Sequence, residues 1–131
     1  MADSIFTRII KGEIPSHKIY EDDKTYAFLD IHPVQPGHVL VVTKNPAEVA
    51  WDLPDDDYYA LWDTVRKVAK RLRKAFPEKY RIGVQVEGLE IPHVHVKIFP
   101  IDSGAEFRAE PDTQSQPNHE ALAALAKKIA F

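Results

Sequence analysis

The segment "IPHVHVKIFP", residues 91–100, alternates side-chain character with a period of two. Successive side chains of a β-strand point to opposite faces, so this period belongs to a strand rather than a helix. Val94, Val96 and Ile98 fall on one face, and His93, His95 and Lys97 fall on the other. The valine face needs a core to pack on. The second face carries three nitrogen groups in a row, and burying such groups without partners is costly. A chain with this strand is committed to a sheet whose polar face needs a use.

Three uses fit the spacing. An exposed edge strand would carry His and Lys without consequence. Two histidines at this spacing can chelate a metal, but a third ligand is needed and the Lys97 ammonium repels a cation. The chain has no cysteine, so thiolate sites, disulfides and cysteine nucleophiles are excluded. The third use is chemistry on a phosphate. Neutral imidazole is a competent nucleophile near pH 7, and a second histidine can orient it or share its proton. A cation nearby offsets charge on phosphate oxygens.

The rest of the chain supplies the other elements. "SIFTRIIK" places Ile5, Phe6, Ile9 and Ile10 at helical spacing after a Ser4 cap, and Gly12 and Pro15 end the helix. "HKIYED" and "KTYAFLD" are strand-like around an acidic turn, and "HVLVVT" is a continuous apolar run suited to a central strand. A helical turn is expected within 46–54. The main helix starts at the acids Asp55, Asp56 and Asp57, where negative charge complements the helix dipole. Its apolar stripe is Leu61, Val65, Val68, Leu72 and Phe76, and Pro77 closes it. "YRIGVQVE" is a further strand, residues 102–116 form a polar loop, and "PNHEALAALAKKIAF" is a terminal helix with His119 in its first turn. His17 and His32 are surface residues. The order implies one α+β domain over residues 1–131 with a largely antiparallel sheet.

The net charge is −3, which argues against a general nucleic-acid binder. The basic run at 66–74 is therefore a solvated helix face with cations near the C-terminal end of the dipole. The first residues carry no basic region followed by an apolar core, and no apolar run reaches membrane-spanning length. A cytoplasmic protein without membrane association is expected.

Along nearly its whole length the chain resembles the histidine triad (HIT) nucleotide-binding hydrolases. The resemblance lies in "IFTRIIKGEIPSHKIYEDDKTYAFLDIHPVQPGHVLVVTKNPAEV" and in "IPHVHVKIFP", which sits where that family carries His-x-His-x-His. It implies a HIT-like α+β fold: a roughly five-stranded, mainly antiparallel sheet with a long helix and N- and C-terminal helices, usually paired as a homodimer. It implies a purine nucleotide or nucleotide-derived substrate, such as a nucleoside phosphoramidate or dinucleoside polyphosphate, with no cofactor and no metal. His95 matches the nucleophile, which would form a nucleotidyl-histidine intermediate. His93 matches a supporting histidine and His38 a further histidine behind the site. Asp30 matches the acid on the ribose hydroxyls. Ile5, Phe6, Phe28 and Ile31 match the apolar pocket around the base.

The chain departs from the family pattern in places. Lys97 stands where the resemblance puts the third histidine. Gly88, Leu89 and Glu90 stand where many members carry Gly-Gln-Ser or Gly-Gln-Thr, and Gln85 or Glu87 is left to reach the nucleotide. Lysine has an unperturbed pKa of about 10.4 against about 6.5 for histidine. Lys97 can thus donate to a phosphate oxygen but is a poor proton relay, and its charge depresses the neighbouring histidine pKa values. Glu90 is expected either to pair with Lys97 at the rim or to face solvent. Hydrolysis is the leading function. The alternatives are a nucleotidyl transferase or phosphorylase and a non-catalytic nucleotide-binding or interaction module.

Overall fold

The computed structural model describes residues 3–131. Helix α1 (Ile5–Ile10) is followed by strands β1 (Lys18–Glu21), β2 (Thr25–Leu29) and β3 (Val39–Thr43). A single 3-10 turn (Ala50–Asp52) leads into the long helix α2 (Asp55–Ala75). Strands β4 (Arg81–Gln85) and β5 (His95–Ile101), the short helix α3 (Gly104–Phe107) and helix α4 (His119–Ile129) complete the order. The five strands form one sheet in the order β1-β2-β3-β5-β4, with every neighbouring pair antiparallel. The α+β expectation holds.

The periodicities explain the layers. Val94, Val96 and Ile98 join Val39, Val41, Ala27 and Leu29 on one face of the sheet. Helix α2 covers this face with Leu61, Val65, Val68 and Leu72, and α4 adds Leu122, Ala126 and Ile129. Each such buried Val, Leu or Ile side chain contributes about 1.5–3 kcal/mol. Asp55, Asp56 and Asp57 occupy the first turn of α2 and Arg73 and Lys74 the last, so charge follows the dipole at both ends. Phe76, expected in the apolar stripe, is instead the C-cap of α2, and it packs against the same core.

Helix α1 covers the other face. Phe6 and Ile9 pack with Tyr26, Phe28, Leu40 and Val42. Ser4 is the N-cap, accepting from the Thr7 N–H at 3.1 Å. Gly12, at φ +79°, follows the helix in the left-handed conformation that a C-terminal glycine supplies. The polar loop expected at 102–116 is partly ordered by α3, whose Phe107 lies 5.8 Å from Phe99. Among the described residues, no helix is long and apolar enough to cross a membrane.

Candidate active site

Strand β5 begins at His95, so His93 lies just before it rather than within it. Its backbone is nonetheless fixed, because the His93 N–H donates to the Ile91 carbonyl at 2.8 Å and the Val94 N–H to the Ala47 carbonyl at 2.9 Å. The His93 ring is fully buried, and its nitrogens are both used. Nε2 lies 2.6 Å from the Thr43 carbonyl oxygen. A carbonyl can only accept, so Nε2 carries the hydrogen. Nδ1 of the neutral ring is then an acceptor, and it takes the Ser4 hydroxyl at 2.7 Å, with Thr7 Oγ1 at 3.3 Å. Burial pushes the His93 pKa down, with the Thr43 carbonyl opposing, which keeps the ring neutral.

His95 follows the same logic with the opposite result. Its Nδ1 lies 2.8 Å from the His93 carbonyl oxygen, so Nδ1–H donates to it. The neutral ring then holds its free lone pair on Nε2. His95 lines a cleft of about 430 Å³. Burial is the largest cause lowering its pKa and the Lys97 charge adds to it, while the His93 carbonyl, Glu87 and Asp30 oppose. His93 therefore supports His95 through its backbone carbonyl, and the ring of His93 serves Ser4, Thr7 and Thr43. A ring-to-ring relay between the two histidines, admitted on spacing alone, is not what the geometry presents.

The cleft runs between α1 and the open end of the sheet. Ile5, Phe6, Phe28, Asp30, Ile31, Glu90, His95 and Lys97 all line it, so eight of the residues singled out by sequence are brought together. Phe6 and Phe28 are buried beneath the cleft, with rings 5.8 Å apart, and Phe6 sits edge-on to His95 at 4.9 Å. Ile5 is 46% exposed and Ile31 41% exposed. These isoleucines are not core residues. They form apolar walls open to a ligand. Asp30 is half-buried, and its Oδ1 accepts the His32 N–H at 2.8 Å.

His38 lies behind the cleft rather than on it. It is buried, its Nδ1 accepts the Val34 N–H at 3.0 Å, and its ring packs 5.0 Å from Phe99. Burial is the main cause driving its pKa down to about 4, Asp30 opposing and Lys97 and His95 reinforcing. The ring is thus neutral, with its hydrogen on Nε2. That atom is buried without a hydrogen bond and points toward Asp30 Oδ2 at 3.7 Å. The distance is too long for a hydrogen bond.

Of the two alternatives for Glu90, facing solvent fits its exposed side chain and pairing with Lys97 fails, as does the expectation for Gln85. Lys97 pairs with Glu87, not Glu90: Nζ lies 3.0 Å from Glu87 Oε1. Gln85, the last residue of β4, is the strand partner of Lys97, and the chain delivers Glu87 to Lys97 two residues on. Glu90 faces the cleft from the loop beyond. Gln85 is withdrawn from the nucleotide-facing set, because its amide donates to the Phe107 carbonyl at 2.8 Å. The register puts Gln85 beside Lys97 on β5, but α3 claims its side chain.

Sequence reasoning missed Ser4, Thr7 and Thr43 as partners of His93, and Pro111 and Thr113, which line the cleft from the segment before α4. Ser4 was legible as a cap, and nothing local signals its second bond. Pro111 and Thr113 carry no periodic signal.

The HIT domain model matches residues 11–104, which run from the end of α1 to the start of α3. The chain is 41% identical over 99 residues to an uncharacterized HIT-like protein of Methanocaldococcus jannaschii, covering 73% of this chain and 77% of that one. It is 36% identical over 111 residues to an adenosine 5'-monophosphoramidase of Candida albicans, covering 76% of this chain and 70% of the relative. A HIT-like protein from Bartonella henselae superposes with a TM-score of 0.81 at 34% identity, over 96% of this chain and 93% of that chain. With its antiparallel sheet, its cleft and these matches, the chain belongs to the HIT family.

Proposed function

We propose that this protein is a nucleotide hydrolase that cleaves nucleoside phosphoramidates, or the phosphoanhydride of dinucleoside polyphosphates, through a nucleotidyl-histidine intermediate. The observation that carries the proposal is the 2.8 Å bond from His95 Nδ1–H to the His93 carbonyl. It fixes the tautomer that leaves Nε2 with a lone pair at the cleft. The similarity to an adenosine 5'-monophosphoramidase favours a nucleotide with a nitrogen leaving group.

The base would lie between the apolar walls of Ile5 and Ile31, over Phe6 and Phe28. Asp30 would accept from ribose hydroxyls. His95 Nε2 would attack the α-phosphorus, forming the N–P bond as the bond to the leaving group breaks and the leaving atom takes a proton. Water would then attack the same phosphorus and release the nucleoside monophosphate and free His95. Lys97, in the place of the family's third histidine, would offset charge on the phosphate oxygens. It remains a cation that donates, so proton delivery to the leaving group falls to solvent or to the substrate. The protein would work as a homodimer, consistent with Val84 on the edge strand β4 and Val86 just beyond it, both exposed. Light scattering of the purified protein tests that assembly.

The steady-state test compares the parent with His95→Ala on adenosine 5'-phosphoramidate. Loss of at least about 10³-fold in kcat is expected for removal of a nucleophile. Equal turnover would sink the proposal. Adding alcohol or amine acceptors separates hydrolysis from transfer: acceptor-independent turnover is expected. Nucleotide binding by calorimetry with no turnover in the parent would favour the non-catalytic module.

A further inference from the structure

Helix α2 segregates its charge. Three of its four acids fill the first turn, and its six cations fall between Arg66 and Lys74. Lys67, Lys70, Arg71 and Lys74 recur at helical spacing on one face, spanning about 10 Å of helix. That face is not simply solvated. With Arg73, Tyr20 and Phe131, these residues line a groove of about 840 Å³ with no Asp or Glu side chain in its lining, although Asp22 accepts from the Tyr20 hydroxyl at 3.0 Å beside it. Among the described residues, the ion pairs of these cations are confined to Lys67 with Asp63 at 3.1 Å.

The groove also has an aromatic wall. Tyr20 and Phe131 stack at 4.9 Å with planes 28° apart. Lys67 lies 5.4 Å from the Tyr20 ring centroid and Arg71 5.9 Å from that of Phe131. The wall is held in place. The Phe131 N–H donates to the Ile19 carbonyl at 2.9 Å, and Arg71 donates to the Ile129 carbonyl at 3.0 Å and the Ala130 carbonyl at 3.3 Å. Phe131 is nevertheless 48% exposed.

We propose that this groove binds single-stranded nucleic acid, with phosphates tracking Lys70, Arg73 and Lys74 and a base stacking on Phe131. Cations beside an exposed, immobilised aromatic face are the two components of sequence-tolerant single-strand binding. An acidic peptide would satisfy the cations and leave the aromatic wall without purpose. The groove lies on the α2 face of the sheet, since Tyr20 pairs with Ala27 of that core. The nucleotide cleft opens on the other face. The overall charge of −3 does not oppose this, because three of the four acids of α2 sit at its far end and the fourth, Asp63, is paired with Lys67.

The test is fluorescence anisotropy with a labelled uridine dodecamer, competed by inorganic polyphosphate and by oligoglutamate. Low-salt binding is expected, with log K falling by about 0.7 per phosphate neutralised as log salt rises. K70E/K74E should weaken binding by at least about tenfold and flatten that slope, with phosphoramidate turnover unchanged. Phe131→Leu keeps the apolar packing but removes the stacking face, and should weaken binding by about tenfold. His95→Ala should bind the oligonucleotide as the parent does, which separates this groove from the cleft. Absence of binding overturns the proposal. So does oligoglutamate competing as well as the oligonucleotide while Phe131→Leu has no effect.

Discussion

The Ser4 hydroxyl lies 2.7 Å from His93 Nδ1 and also accepts the Thr7 N–H at 3.1 Å. One side chain therefore caps α1 and satisfies a fully buried imidazole 89 residues away. Because the His93 carbonyl in turn holds His95 Nδ1–H, the start of the first helix and the proposed nucleophile belong to one hydrogen-bonded chain.

Ser4→Ala should remove the cap and leave His93 Nδ1 only the longer contact with Thr7 Oγ1 at 3.3 Å. Loss of a cap costs about 1 kcal/mol, and weakening the bond to a buried acceptor costs up to about 1–3 kcal/mol. Urea denaturation is expected to show destabilisation of about 2–3 kcal/mol. Ser4→Thr, which keeps the hydroxyl, should recover most of it. A loss under half a kcal/mol would show that His93 does not depend on Ser4.

Lys97 is expected to couple to Glu87 and not to Glu90. The pair at 3.0 Å is partly exposed, so solvent screening limits it to about 0.2–1 kcal/mol. A double-mutant cycle on stability with Lys97→Met should find that coupling with Glu87→Gln and none with Glu90→Gln. The reverse result would return the ion pair to Glu90.

Lys97 also contributes to the acid limb of the pH–rate profile. In the proposed mechanism His95 acts when neutral, and its pKa lies below the ordinary histidine value chiefly through burial, with the Lys97 charge adding to it. Activity should therefore fall as pH drops through a point below about 6.5. Lys97→Met removes a like charge and should move that limb to higher pH, and an unmoved limb would remove Lys97 from control of His95.

Stability should also depend on pH through His38. Its folded pKa of about 4 lies below that of the unfolded chain. The unfolded state then binds more protons between about 4 and 6.5, so stability is complete above that window and is lost as pH falls through it. The shift corresponds to about 3 kcal/mol. His38→Asn should flatten the dependence in denaturation curves between pH 7 and 4. An unchanged slope would assign acid sensitivity to other groups.

The elements with strong local signals were readable from sequence. The alternation at 94–98 put Val94, Val96 and Ile98 into the core, the stripe of α2 buried Leu61 through Leu72, and Ser4 capped α1. The cleft was readable where residues match the family jointly, as for Ile5, Phe6, Phe28, Asp30 and Ile31. What escaped was long-range or aperiodic. Residues 86–94 follow no strand period, so sequence could not decide between Glu87 and Glu90. Gln85 has the right register for the site, but its amide is taken by a carbonyl of α3, 22 residues on. The basic run at 66–74 gives no local sign of its aromatic neighbours, which come from β1 and from Phe131 after α4.

Covalent chemistry at His95 is read most directly by intact-protein mass spectrometry. Parent protein quenched within milliseconds of mixing with adenosine 5'-phosphoramidate should carry one added adenylyl group. His95→Ala should carry none, while His93→Ala should still accumulate some adduct at a reduced rate. An adduct of the same mass on His95→Ala, or turnover of the parent with no adduct at any time, would contradict His95 as the nucleophile.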